Sequence, residues 1–112
     1  MIFQYELKDS SLRVMMPKEL DHHSSINVRT QTDLLLKTYQ VKKLIFDFEN
    51  TEFMDSSGIG LIMGRYKKLQ ENGSISIAGA NDSIQRIILI SGLHKLVHTC
   101  KDVSQAAKNI EK

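Results

Sequence analysis

The run Leu44-Ile45-Phe46-Asp47-Phe48 constrains the fold more than any other feature of the chain. It is short, nearly continuous in apolar character and built of β-favouring residues, the pattern of a central strand covered on both faces. From Ser57 to Glu71 the apolar residues Ile59, Ile62, Met63, Tyr66 and Leu69 recur at spacings of three and four. That periodicity predicts a helix with one buried stripe, stopped by Asn72-Gly73. Ser74 to Gly79 then alternates Ile75 and Ile77 with serines, which reads as a further strand. Strands that alternate with helices in this way form a mainly parallel sheet.

The flanking segments complete the pattern. Phe3, Tyr5 and Leu7, then Leu12, Val14 and Met16, alternate on either side of the polar link Lys8-Asp9-Ser10-Ser11, an antiparallel hairpin with one buried face. Pro17 ends its second strand. Asp21 caps a helix over about 22–39 that carries Ile26, Thr30, Leu34 and Leu35 inward. Downstream, Asp82 or Ser83 caps a short helix holding Ile84, Ile87 and Ile88, closed by Ser91-Gly92. A last strand around Leu96-Val97-His98 and a terminal helix from about Val103 to Ile110 give the order β-β-α-β-α-β-α-β-α. The expected fold is α/β: one domain over 1–112, a mixed and mainly parallel sheet with an N-terminal antiparallel hairpin, packed by about four helices.

Composition narrows the function classes. The 112 residues, 41% hydrophobic and 25% charged, suit a single soluble domain. No apolar run approaches the roughly 18 to 20 residues that cross a bilayer. The start, Met1-Ile2-Phe3-Gln4-Tyr5-Glu6, lacks the basic and apolar blocks of a signal peptide, so a cytoplasmic protein without a membrane partner is expected. Cys100 is the single cysteine, which excludes an internal disulfide and a cysteine-built metal site; it reads as a small core residue. Fifteen basic and thirteen acidic residues leave a net charge of +2 with the signs mixed. The densest basic pairs, Lys42-Lys43 and Lys67-Lys68, are not interleaved with aromatics, so they read as solvated surface and no direct nucleic-acid contact is expected. His22-His23 is a poor metal pair, because neighbours on a helix point about 100° apart and no acidic partner follows at helical spacing. His94 and His98 read as surface residues, and Arg65 and Arg86 as members of surface ion pairs.

The chemistry concentrates in Glu52-Phe53-Met54-Asp55-Ser56-Ser57-Gly58-Ile59-Gly60, which sets two hydroxyls where a strand gives way to a helix. The first N–H groups of a helix lack internal partners and the dipole is positive there, so an anion such as phosphate is favoured at this point. A hydrolase nucleophile also occupies such a turn, but that elbow needs Gly-x-Ser-x-Gly, whereas this chain reads Met54-Asp55-Ser56-Ser57-Gly58. Asp55, Ser56 and Ser57 can each cap a helix, and one cap suffices, so the extra hydroxyls point to a regulated site. Gly58, Gly60 and Gly64 each cost about 1 kcal/mol against alanine in a helix. Close packing on the sheet is the expected compensation at Gly60 and Gly64, and access for a partner at Gly58.

Phe53-Met54-Asp55-Ser56-Ser57-Gly58-Ile59-Gly60, followed by Gly64-Arg65-Tyr66-Lys67, resembles the STAS domain of anti-sigma factor antagonists, most of all those of sporulation. Glu19-Leu20-Asp21-His22-His23 and Ser91-Gly92-Leu93 add to the likeness, which spans about Ile2 to Ile110. The resemblance implies a switch and not an enzyme. Its unphosphorylated form binds a partner that is both anti-sigma factor and serine kinase, which frees the sigma factor. Phosphorylation at Ser56 turns binding off, and a serine phosphatase resets it. Asp21, Asp55, Ser57, Gly58 and Ile59 are implied to form the partner surface of a monomer that needs no cofactor and no metal. Read from the residues alone, Ser57 is as good an acceptor as Ser56; the resemblance selects Ser56. A STAS component of another stress or signalling assembly, served by a different serine kinase, is the alternative. Lys18 stands where close relatives are expected to have glycine, and Gly79-Ala80-Asn81-Asp82 also departs from the family pattern.

Overall fold

The computed structural model describes residues 4–69 and 73–108. Phe3, Glu71, Asn72 and Ile110, used above to bound elements, lie outside the described residues. The chain runs through β1 (Tyr5–Lys8), β2 (Ser11–Met15), β3 (Glu19–Leu20), α1 (His22–Thr38), β4 (Lys43–Asp47), β5 (Phe53–Met54), α2 (Ser56–Leu69), β6 (Ser74–Ala78), α3 (Asp82–Ser91), β7 (His98–Cys100) and α4 (Val103–Lys108). A five-stranded sheet has the order β1-β2-β4-β6-β7, with β1 antiparallel to β2 and every other neighbour parallel. The hairpin turns at Asp9, whose φ of 56° lies in the left-handed region that a short polar side chain tolerates.

Strand β4 is buried along its whole length, as its apolar run demanded. Leu44 and Phe46 join Leu12, Val14, Ile75 and Ile77 beneath Val28, Leu61, Ile62, Ile84 and Ile88 of α1, α2 and α3. On the opposite face Ile45 and Ala78 pack with Ala106 of α4, and Val103 and Cys100 border them. That second face also carries charge. Asp47 is 3% exposed and its Oδ2 accepts from Arg13 Nε at 3.0 Å and Nη2 at 2.7 Å, while its Oδ1 accepts from the Glu49 amide at 3.0 Å. The carboxylate in turn raises the Arg13 pKa. Lys43 is not a solvated lysine: it is 2% exposed and its Nζ donates to the Ala106 carbonyl.

Several elements differ from their expected form. The ribbon of β3 and β5, two residues each, is an addition that no periodicity could announce. Helix α1 buries Ser25, Val28, Thr32 and Leu35, whereas Ile26, Thr30 and Leu34 face solvent. Thr32 is accommodated because its Oγ1 donates to the Val28 carbonyl at 2.8 Å, so a polar residue substitutes for the apolar one that the pattern sought. Asn81, rather than Asp82 or Ser83, caps α3. The last strand begins at His98, two residues later than expected, since Leu93–Lys95 forms a 3-10 turn after the left-handed Gly92. Arg65 is no surface residue: its side chain is 5% exposed and its Nε lies 3.2 Å from Asp33 Oδ1. Desolvation lowers its pKa, against the pull of Asp33. No described helix is long and apolar enough to cross a membrane.

Replacing Arg13 with methionine strands the buried Asp47 carboxylate, and the expected loss is roughly 2 kcal/mol. Urea unfolding measures it, as a lower midpoint at unchanged slope.

Candidate functional site

The two-residue ribbon explains how distant parts of the sequence meet. Leu20 pairs with Met54 in parallel register, so the next residues, Asp21 and Asp55, leave side by side, each to start a helix. The Asp55 amide donates to the Leu20 carbonyl at 3.2 Å, and the Glu52 amide to the Lys18 carbonyl at 2.7 Å. Asp21 caps α1 through a reciprocal box: its Oδ1 accepts from the Ser24 amide at 2.9 Å, and its own amide donates to Ser24 Oγ at 3.0 Å. The Ser24 amide lowers the Asp21 pKa most, with help from the Ser24 hydroxyl and from His23.

Asp55 performs the same task for α2, accepting from the Ser57 amide on Oδ1 at 2.8 Å and from the Gly58 amide on its carbonyl at 3.0 Å. With the cap supplied by Asp55, the serine hydroxyls are not needed for it. Ser56 is exposed, Ser57 half-buried, and neither hydroxyl is hydrogen-bonded to another described residue. An exposed hydroxyl one residue past the cap stands at the positive end of α2, where an added anion is favoured.

Close packing falls on Gly58 and not on Gly60 or Gly64, contrary to expectation. Gly58 is buried, and a Cβ there would lie 2.5 Å from Met54 Cγ and 3.0 Å from Leu20 Cδ2, so its absence lets the helix start settle on the ribbon. At Gly60 and Gly64 a Cβ would meet nothing within 4 Å; packing does not require them. Of the expected partner residues, Asp21, Asp55, Ser57 and Ile59 are half-buried around the exposed Ser56, and Gly58 lies beneath them. Sequence reasoning missed Phe53, 51% exposed on β5 two residues before Asp55, and Asn81, whose Nδ2 reaches the Thr51 and Glu52 carbonyls at 3.4 Å. A large aromatic in the acceptor segment was the available signal for Phe53; for Asn81 it was a favoured capping type standing directly before a helix. Among the described residues no three His, Cys, Asp or Glu side chains gather as metal ligands do.

The family model of the STAS domain matches residues 3–106. The chain belongs to the STAS domain family. This STAS protein is 39% identical over 87 residues to the anti-sigma F factor antagonist of Paenibacillus polymyxa, covering 77% of the chain and 74% of that relative. To an anti-sigma-B factor antagonist of Staphylococcus aureus it is 38% identical over 58 residues, 51% of the chain and 54% of that relative. Its fold superposes on unphosphorylated SpoIIAA, an anti-sigma factor antagonist, with a TM-score of 0.83 at 27% identity, covering 96% of this chain and 94% of that one. Against the phosphorylated form of the Bacillus SpoIIAA the TM-score is 0.75 at 27% identity, covering 96% and 97%.

Three outcomes follow for α2 and for the Asp21 cap. Gly60→Ala and Gly64→Ala each stabilise by about 1 kcal/mol in urea unfolding. Gly58→Ala destabilises by roughly 1 kcal/mol, because the clash with Met54 and Leu20 outweighs the helix gain. Asp21→Ala lowers the melting temperature at neutral pH. Because folding depresses the Asp21 pKa below 3.8, the wild-type advantage is present above that value and disappears as pH falls through the folded one. Melting curves of both proteins across acid pH check this.

Proposed function

We propose that this STAS protein is a phosphorylation-controlled antagonist of an anti-sigma factor, with Ser56 as the acceptor. Unphosphorylated, it binds an anti-sigma factor that is also a serine kinase, and the sigma factor is released. A phosphoryl group on Ser56 turns the association off, and a serine phosphatase restores it. The contact surface comprises Asp21, Asp55, Ser57 and Ile59, with Gly58 acting from beneath and Phe53 beside it. The domain acts as a cytoplasmic monomer, without a cofactor and without a reaction of its own.

The observation that carries this reading is the exposed Ser56 hydroxyl, not hydrogen-bonded to any other described residue and standing one residue after the capping Asp55. The anti-sigma F factor antagonist of Paenibacillus polymyxa supplies the partner class by likeness. SpoIIAA, solved both unphosphorylated and phosphorylated, supports a fold that accepts the modification. Ser57 is the poorer acceptor, being half-buried with its amide held by Asp55.

The electrostatics suit a switch that spares the fold. A phosphoryl group adds about −1.5 to −2 charges, tolerated at a helix start. Opposite an acidic group of the partner at about 5 Å, and at an effective dielectric near 20, those charges cost several kcal/mol. Since about 1.4 kcal/mol is tenfold in affinity, binding falls by hundreds-fold. A second reading, a STAS component of another stress or signalling assembly with a different serine kinase, draws on the likeness to the Staphylococcus aureus anti-sigma-B factor antagonist, a relative named for a different anti-sigma factor.

Incubation with the kinase and magnesium ATP, followed by intact mass analysis, tests the proposal. One phosphoryl group is expected on the wild type and none on Ser56→Ala; phosphate retained by the variant, or absent from both, contradicts it. Ser56→Asp is expected to weaken kinase binding by at least tenfold in calorimetry while the melting temperature stays within about 2 °C, the tolerance expected of a surface substitution.

A further inference from the structure

Three helix starts meet at the Ser56 end of the sheet, and a line of side-chain hydrogen bonds joins them. Thr51 stands in the bend between β4 and β5 and is 4% exposed. Its amide donates to the Phe48 carbonyl at 3.0 Å, and its Oγ1 donates to the Pro17 carbonyl at 2.8 Å, just before β3. Its own carbonyl and that of Glu52 accept from Asn81 Nδ2, each at 3.4 Å. Asn81 Oδ1 meanwhile accepts from the Ile84 amide at 2.9 Å and so caps α3.

Both side chains carry a group that their local element does not require. Capping α3 needs only an oxygen, which aspartate or serine provides equally well, so the Asn81 amide hydrogens are surplus to the helix. Burial at position 51 needs only a side chain of that volume, so the Thr51 hydroxyl, donated to the Pro17 carbonyl, goes beyond what packing asks. The two surplus donors act on neighbouring pieces of backbone. Through Pro17 the line reaches β3 and Asp21; through Thr51 and Glu52 it reaches β5, Asp55 and Ser56. Strands of two residues share few ladder bonds, so β3 and β5 need outside fixing.

We propose that Thr51 and Asn81 are positioning residues: the hydrogen-bonded line from Pro17 through Thr51 to Asn81 holds the Asp21 and Ser56 helix starts in the fixed relation that the partner kinase reads. The choice of reader rests on the function proposed above, whereas the rigidity belongs to the chain alone. Thr51→Val removes the hydroxyl at nearly constant shape. Thr51→Ser keeps it. Asn81→Asp keeps the capping oxygen and removes the donor.

Native-state hydrogen exchange of the free protein is the first measurement, because it needs no kinase. The Phe53 and Asp55 amides, bonded to the Lys18 and Leu20 carbonyls at 3.2 Å, are expected to exchange about tenfold faster in Thr51→Val and Asn81→Asp. Amides of β4 keep their wild-type rates, and Thr51→Ser behaves as wild type. Steady-state phosphorylation is the second measurement, with KM for the chain raised several-fold and kcat retained in the same two variants. Unchanged exchange at Phe53 and Asp55, or a Thr51→Ser variant as loose as Thr51→Val, overturns the proposal. If the wild type takes up no phosphate, the function assigned to Ser56 fails, and the exchange rates still decide whether the line holds the two starts together.

Discussion

The parallel pairing of Glu19 with Phe53 and Leu20 with Met54 is the contact on which the functional surface depends. It is small, yet it joins segments more than thirty positions apart and turns two separate helix entries into one platform. The pairing is tight enough to exclude a Cβ at position 58, where Met54 and Leu20 close over the helix backbone. A glycine in the first turn of α2 is therefore a packing residue, and the conformational freedom it adds to the unfolded chain is offset by that close approach. The exposed hydroxyl beside it is held in place by what lies underneath.

This arrangement separates stability from the proposed switch. The core residues of β2, β4 and β6 lie under three helices and owe nothing to Ser56. The helix starts are capped by Asp21, Asp55 and Asn81, so the Ser56 and Ser57 hydroxyls are not needed to satisfy the amides of α2. A group can be added to Ser56 or removed from it without rebuilding either layer. Such independence is what the switch proposed at Ser56 requires.

Much of the fold is legible in the sequence, because long apolar patterns are averages over many residues. The run around Phe46 and the helical stripe through Ile62 and Leu69 both stand where their periodicity put them. Legibility fails where polar residues do apolar work. Ser25 and Thr32 line the buried face of α1, so a pattern of hydrophobic types selected Ile26 and Leu34, which face water. Lys43 and Arg65 are charged by type and buried by context, one reaching a helix carbonyl and the other an aspartate on a neighbouring helix. The ribbon of β3 and β5 is too short to have a period. At the site itself, the Asp-Ser-Ser-Gly segment advertised a helix start, while the division of labour among Gly58, Gly60 and Gly64 depends on what lies opposite each Cβ position, which no local pattern records.

The Lys43 ammonium beneath α4 ties that helix to the sheet. Ala106 supplies both an apolar contact to Ile45 and Ala78 and the carbonyl that receives this ammonium. Without that turn, an apolar cover and a carbonyl acceptor would be lost together from a lysine set in the middle of the sheet. The last turn of α4 thus works as a seal that keeps the Lys43 ammonium out of water.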